Sequence, residues 1–222
     1  MIRNRLGIAC LLVSVWLGCS MGFAQEGYEI DKLSKPSEIN AFRMKFIQDF
    51  DRIGLNTTPS DAQFLRIMIQ SMKAKRGVEV GSCNGYGAIH MGMGFEANGG
   101  ELITLEIDPK FVKQCRENLR QVGLEKTVKC IEGDALKVIP TLEGKFDFVF
   151  IDAVKEDYIK YFRLLLPLLQ PGAVIVADNT IRSEDAMRDF LDAVMKDPDY
   201  DAVTIQTTQE KKDGMTVIYK IR

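Results

Sequence analysis

The chain has 222 residues, enough for one ordinary domain with a sizeable core, and its 46% hydrophobic and 27% charged content is globular in character, not disordered. Net charge is −2, with acids and bases interspersed, so nothing points to the basic face or stripe that nucleic-acid binding requires. Cys83, Cys115 and Cys130 remain once the first 24 residues are set aside. Three cysteines cannot all pair with one another, so no disulfide framework is implied and they read as buried thiols.

Residues 1–24 differ from the rest. Arg3 and Arg5 precede an apolar run over residues 6–18, and Gly22-Phe23-Ala24 offers small residues before a cut at Gln25. That is the layout of a secretory signal peptide, and the run is short for a membrane span. The expectation is an exported or periplasmic protein without an integral span in its mature chain. Two other readings stand beside it: lipid attachment at Cys19, for which Trp16 is a poor neighbour, and a true start at Met21, which would leave the protein cytoplasmic.

Residues 36–75 carry helical periodicity, with Ile39, Phe42, Phe46, Phe50 and Ile53 in one stripe and Phe64, Leu65, Ile67, Met68 and Met72 in another. Thr58-Pro59-Ser60-Asp61 between them reads as a helix start. The segment is expected to form a helical cap or interface element on the same domain, which spans residues 25–222. Beyond it, short apolar runs alternate with helical stretches. Strands are predicted at 78–80, 102–107, 128–131, 146–151 and 173–177. Helices are predicted from the mid-80s to residue 91, over 111–122, near Leu136, and over 158–169 and 187–195. Strands at 202–207 and 215–220 bracket Lys212-Asp213-Gly214, a hairpin signal. Strand–helix alternation predicts an α/β fold with a mostly parallel sheet, helices on both faces, and ligands at the carboxyl ends of the strands.

"VEVGSCNGYG", residues 78–87, follows the first strand and opens a helix. Its glycines at 81, 85 and 87 permit a tight turn and close backbone approach to a ligand. The spacing is not the G-x-G-x-x-G of dinucleotide sites, which disfavours a nicotinamide-dependent oxidoreductase. Glu106, near the end of the next strand, is an acid placed to accept both hydroxyl protons of a ribose; the plainer reading is a glycine turn followed by a solvated acid. "FVFIDAVKEDY", residues 148–158, drives four apolar residues into Asp152, with Lys155 three positions later, and "VIVADN" ends in Asp178 and Asn179. Adjacent parallel strands would bring these ends together. Two carboxylates and an amide carbonyl suit a hard divalent cation such as Mg²⁺. Against that, Asp152 can serve as a helix N-cap, Asp178 and Asn179 can form a turn, and Lys155 can be a surface lysine in a helix's first turn. The single histidine, His90, reads as packing or surface, which speaks against a zinc site.

With "TPSDAQFL", "TLEIDP", "EGDA", "PGAVIVADN" and "DGMTVIYK" in the same order, the chain resembles the cation-dependent O-methyltransferases over residues 57–220. This group includes caffeoyl-CoA and catechol O-methyltransferases, within the class I S-adenosylmethionine-dependent enzymes. The resemblance implies a Rossmann-like, seven-stranded, mostly parallel sheet with a C-terminal antiparallel hairpin. It implies S-adenosylmethionine contacts at Thr57, Glu79, Gly81, Ser82, Gly87, Glu106 and Ala135. It further implies a divalent cation, Mg²⁺ first, on Asp152, Asp178 and Asn179, with Lys155 as general base beside Asp152. The acceptor would be a small phenolic or other hydroxylated, catechol-like molecule, and the family is often homodimeric. Glu79 supports this independently, because an acid inside an apolar strand needs a cationic partner, or else backbone donors.

Two features depart from the pattern. Val154 stands where caffeoyl-CoA-type sequences carry aspartate beside the cofactor, which predicts altered cofactor contact. Only residues 180–184 separate Asn179 from the next helix, where family members carry a longer pocket-building insertion, so caffeoyl-CoA specificity does not transfer. With the leader peptide, these departures motivate two other readings. One is an exported, degenerate binding module without turnover; the other is a metal-independent methyltransferase.

Overall fold

A computed structural model describes residues 30–208 and 212–222. The leader expected over residues 1–24, including Cys10, Cys19 and Met21, lies outside the described residues. After a 3-10 turn at Ile30–Lys32 come two helices, α1 (Pro36–Gln48) and α2 (Pro59–Met72). The alternating section runs β1 (Arg76–Val80), α3 (Tyr86–Asn98), β2 (Glu101–Glu106), α4 (Pro109–Gln121), β3 (Val128–Glu132), α5 (Ala135–Val138), β4 (Phe146–Ile151), α6 (Tyr158–Leu165), β5 (Leu169–Ala177) and α7 (Arg188–Lys196). The hairpin strands β6 (Tyr200–Thr208) and β7 (Asp213–Lys220) close the chain.

The seven strands form one sheet in the order β3-β2-β1-β4-β5-β7-β6. Strands β1 to β5 are mutually parallel, and β7 runs antiparallel to both β5 and β6. The chain winds outward from β1 through β2 to β3, then returns to β4, so β1 and β4 flank the point where strand order reverses. In open α/β sheets that is where ligands bind.

Alternation along the strands divides the core. Phe148 and Phe150 of β4, with Val174 and Val176 of β5, face α2, α3 and α4. Val149 and Ile151, with Ile175 and Ala177, face the opposite layer of α5, α6 and α7. Central strands are therefore apolar on both faces, as parallel sheets require. Arg43 fastens α1 to the body. Its guanidinium pairs with Glu96 on α3, with Nη2 at 3.0 Å from Oε1, and donates to the Val122 carbonyl at 2.8 Å.

Several boundaries differ from the sequence expectation; α6 ends at Leu165 and gives way to a 3-10 turn at Leu166–Leu168, because Leu169, expected to be helical, pairs in β5. Helix α3 continues past Met91 to Asn98 through Gly92 and Gly94. Glycine weakens a helix, but here it permits close packing: a Cβ at Gly92 would stand 2.5 Å from Val128 Cγ2 and one at Gly94 3.0 Å from Ile69 Cγ2. Strand β5 starts at Leu169 rather than Ala173, because Leu169 pairs with Phe146 before the register shifts ahead of the Phe148–Val174 pair. Pro171, without an amide hydrogen, and Gly172, at φ 83°, occupy that irregularity.

A candidate active site at the carboxyl edge of the sheet

Strand ends step across the sheet through single backbone hydrogen bonds. Gly81 N–H donates to the Leu105 carbonyl at 2.9 Å, Asp152 N–H to that of Val80 at 2.9 Å, and Asp178 N–H to that of Ile151 at 3.0 Å. The four parallel strands β2, β1, β4 and β5 thus deliver Glu106, Gly81, Asp152 and Asp178 in a row. All four line one cavity of about 660 Å³, within the size range of small-molecule sites.

The glycine turn forms the floor of one end. Gly81 has φ 95°, and a Cβ there would stand 2.2 Å from the Asp152 carbonyl oxygen, so only glycine lets the β1 exit pass the β4 exit. Glu106 holds the turn in place: Oε2 accepts from Cys83 N–H at 2.7 Å and Oε1 from Asp108 N–H at 2.9 Å. Each oxygen keeps a lone pair for a further donor. Gly81 and Ser82 spend their own amides on Leu105, so a ligand here meets van der Waals surface and carbonyl oxygens.

Behind the turn, Glu79 is 1% exposed and accepts a hydrogen bond from the Thr104 hydroxyl. Burial is the main cause that pushes its carboxyl up to about 8, partly offset by Thr104, while the charges of Cys130, Asp152 and Glu106 push the same way as burial. Gly87 lies against it, since a Cβ there would be 3.0 Å from Glu79 Oε1 and 3.2 Å from Thr57 Oγ1. Glu79 has no ion-pair partner among the described residues, and a cationic group brought close to it would favour its ionised form.

At the other end, Asp152 and Asp178 emerge side by side from β4 and β5. Burial, and then the Asp152 charge, push the Asp178 carboxyl up to about 8. Lys155 Nζ donates to Asp152 Oδ1 at 2.8 Å and to the Tyr158 hydroxyl oxygen at 2.9 Å. The Tyr158 hydroxyl is buried and lies 3.0 Å from the Ile151 carbonyl and 3.2 Å from that of Asp178. Burial also raises that phenol well above its ordinary value, so it stays protonated and donates. Asn179 has φ 60°, and its Nδ2 donates to Asp213 Oδ2 at 3.1 Å, which leaves the amide oxygen available as an acceptor. Among the described residues no group of three or more His, Cys, Asp and Glu clusters as a metal site. Two carboxylates and an amide oxygen are nevertheless a hard-cation donor set, and the crowded acid pair has the charge such an ion would neutralise.

Of the residues singled out in the sequence, Gly81, Glu106, Ala135, Asp152, Lys155, Asp178 and Asn179 share this cavity. Thr57, Glu79, Ser82 and Gly87 are buried outside its lining. Val154 lines the cavity too and is 55% exposed. His90 packs on the Tyr86 ring at 5.1 Å, and burial takes its imidazole down to about 4; it is a packing residue. The three cysteines are free thiols and buried. Sequence reasoning missed Tyr158 and Asp213. Tyr158 was detectable, being three residues after Lys155 and so on one helical face with it. Asp213 sits in Lys-Asp-Gly, which reads as turn chemistry and hides any other role.

Known proteins resemble the chain over the same span. It is 39% identical over 132 residues to a catechol O-methyltransferase of Niastella koreensis, a match covering 58% of this chain and 59% of that one, so the chain spans less than two thirds of that relative's length. It is 37% identical over 161 residues to a catechol O-methyltransferase of Mycobacterium tuberculosis, covering 67% and 73%. Among solved structures, an O-methyltransferase from Bacillus cereus in complex with SAH superposes with a TM-score of 0.72 at 26% identity, covering 85% and 93%. TomG from Streptomyces achromogenes, in complex with SAM, gives 0.72 at 28% identity, covering 86% and 93%. Residues 36–218 match the O-methyltransferase family as a whole, and with the seven-stranded sheet and its edge-row of site residues the chain belongs to that family.

Proposed function

We propose that this chain transfers the methyl group of S-adenosylmethionine to an oxygen of a small, catechol-like acceptor, assisted by a divalent cation on Asp152, Asp178 and Asn179. The observation that carries the reading is the convergence in one cavity of Gly81 and Glu106 with the acid pair and Lys155. S-Adenosylmethionine supplies an activated methyl, and a bound cation such as Mg²⁺ favours the deprotonated form of a hydroxyl beside it.

The chain's own residues do the rest by placement. Glu106 offers its carboxylate to a ribose diol, Ala135 borders the base, and Glu79, once it releases its proton beside a bound cationic group, balances the positive charge of the methionine portion. Lys155 is held at one geometry by Asp152 and Tyr158. To act as general base Lys155 must first release its own proton; the neutral Nζ then takes the acceptor's hydroxyl proton, and the ammonium so restored has the Asp152 and Tyr158 oxygens to donate to.

The test is methyl transfer across a panel of vicinal diphenols, with and without Mg²⁺. Transfer to at least one diphenol is expected, abolished by Asp152→Ala and by Lys155→Ala. Transfer undiminished by a chelator and by Asp178→Ala would remove the metal and leave a metal-independent methyltransferase. One observation favours that second reading: the ion pair with Lys155 already neutralises Asp152. Calorimetry showing no binding of S-adenosylmethionine would sink both readings in favour of a module without turnover.

A further inference from the structure

The segment after Asn179 is a bound turn, and it carries an arginine into the cavity. Thr180 N–H donates to the Gly214 carbonyl at 3.0 Å, Ser183 N–H to that of Asn179 at 3.0 Å, and Arg182 N–H to Asp213 Oδ1 at 3.0 Å. The backbone of Arg182 is therefore fixed from both sides, while its exposed side chain lines the same cavity as Lys155 and Asp178.

The charges around it are uneven. Lys155, the other cation of the lining, is committed to Asp152. Asp213, the acid beside Arg182 in space, is 1% exposed and its carboxylate already takes hydrogen bonds from Asn179 Nδ2, Arg182 N and Gly214 N. Among the described residues the Arg182 guanidinium has no carboxylate within ion-pair distance. In the proposed reading Glu106 serves the cofactor, and Asp152 and Asp178 serve the cation. Asp108 and Asp134, also in the lining, cap the starts of α4 and α5, so Arg182 is the one lining cation left to meet the acceptor.

We infer that Arg182 selects acceptors with an anionic substituent, a carboxylate above all, on the ring that bears the hydroxyls. This rests on the proposed methyl transfer and specifies its substrate class. A planar guanidinium engages a carboxylate through two parallel hydrogen bonds. Holding its backbone in a saturated turn lowers the ordering cost of doing so.

The test compares 3,4-dihydroxybenzoate with neutral 4-methylcatechol, in wild-type protein, Arg182→Gln and Arg182→Lys, with S-adenosylmethionine and Mg²⁺. The wild type should prefer the acid, and Arg182→Gln should cut the acid-to-neutral ratio of kcat/KM by roughly tenfold or more, chiefly through KM, as loss of a charged hydrogen bond does. Arg182→Lys should restore part of the ratio, and added salt should erode it in the wild type. An equal ratio in wild type and Arg182→Gln overturns the inference while leaving methyl transfer intact. If neither acceptor is methylated, calorimetric binding of the two acceptors in the presence of SAH decides. Preferential binding of the acid, lost in Arg182→Gln, upholds the role of Arg182 although the methyl-transfer reading fails. Equal or absent binding overturns it.

Discussion

Asp213 shows how a buried residue outside the proposed chemistry can control residues proposed to carry it. By accepting from Asn179 Nδ2 it orients that amide, and by accepting from Arg182 N–H it shapes the turn between them. Residues that orient metal ligands typically matter tenfold to a hundredfold in affinity. Asp213→Ala is therefore expected to weaken Mn²⁺ binding by about tenfold or more, read by electron paramagnetic resonance on the folded variant. Unchanged Mn²⁺ affinity would show that Asn179 needs no such support. Val154, which the sequence marks as a departure, is a wall residue: it starts the 3-10 turn bearing Lys155 and bonds nothing through its side chain. Its neighbour Lys155 is placed by Asp152 and Tyr158, so valine at 154 leaves the position of the proposed base intact.

At the level of elements, the start of α2 was among the most readable features. Thr58 caps α2, its hydroxyl oxygen accepting from Asp61 N–H at 3.3 Å, with Pro59 in the first turn. The same hydroxyl donates to Asp61 Oδ2 at 2.6 Å, and Asp61 is buried. Thr58→Ala removes a cap and strips a buried carboxylate of its donor. It should lower stability by about 1–2 kcal/mol in denaturant titration, with Thr58→Ser close to wild type. The glycine turn was equally legible, since a close approach of two backbones can be read from glycine alone. Gly85 begins α3 at φ 94°, where a Cβ would press on Cys115 Sγ at 2.9 Å. Less legible were Gly92 and Gly94, which look like helix breakers. Their reason is Val128 and Ile69, contacts from distant parts of the chain.

For the molecule as a whole, buried acids link folding to pH. Folded, Glu79 keeps its proton up to about 8; unfolded, it releases it near the ordinary 4.5. Between those values the unfolded chain binds fewer protons, so stability falls as pH rises through that window and levels off above it. Asp178 acts in the same direction. The cofactor-free protein should thus melt lower at about pH 8 than at about pH 5, with a shallower decline in Glu79→Gln. An identical pH slope in that variant would mean that Glu79 is not protonated in the fold. No helix among the described residues is long and apolar enough to cross a membrane.

What the sequence determined by itself was local or periodic: the strand–helix alternation, the start of α2, the glycine turn, and the acids at the ends of β2, β4 and β5. These are legible because period, cap and turn chemistry are set by neighbours in the chain. Tertiary structure alone decided which groups face one another across the strand ends. It joined Asp213 of the last strand to Asn179 and Arg182, committed Lys155 to Asp152, and left the Arg182 guanidinium open to the cavity. Hydrogen bonds between residues far apart in the chain (34 and 31 positions for those from Asn179 and Arg182 to Asp213) leave no trace in local pattern. They exist only because β7 inserts antiparallel between β5 and β6, bringing its first residue to the carboxyl edge of the sheet where the parallel strands end.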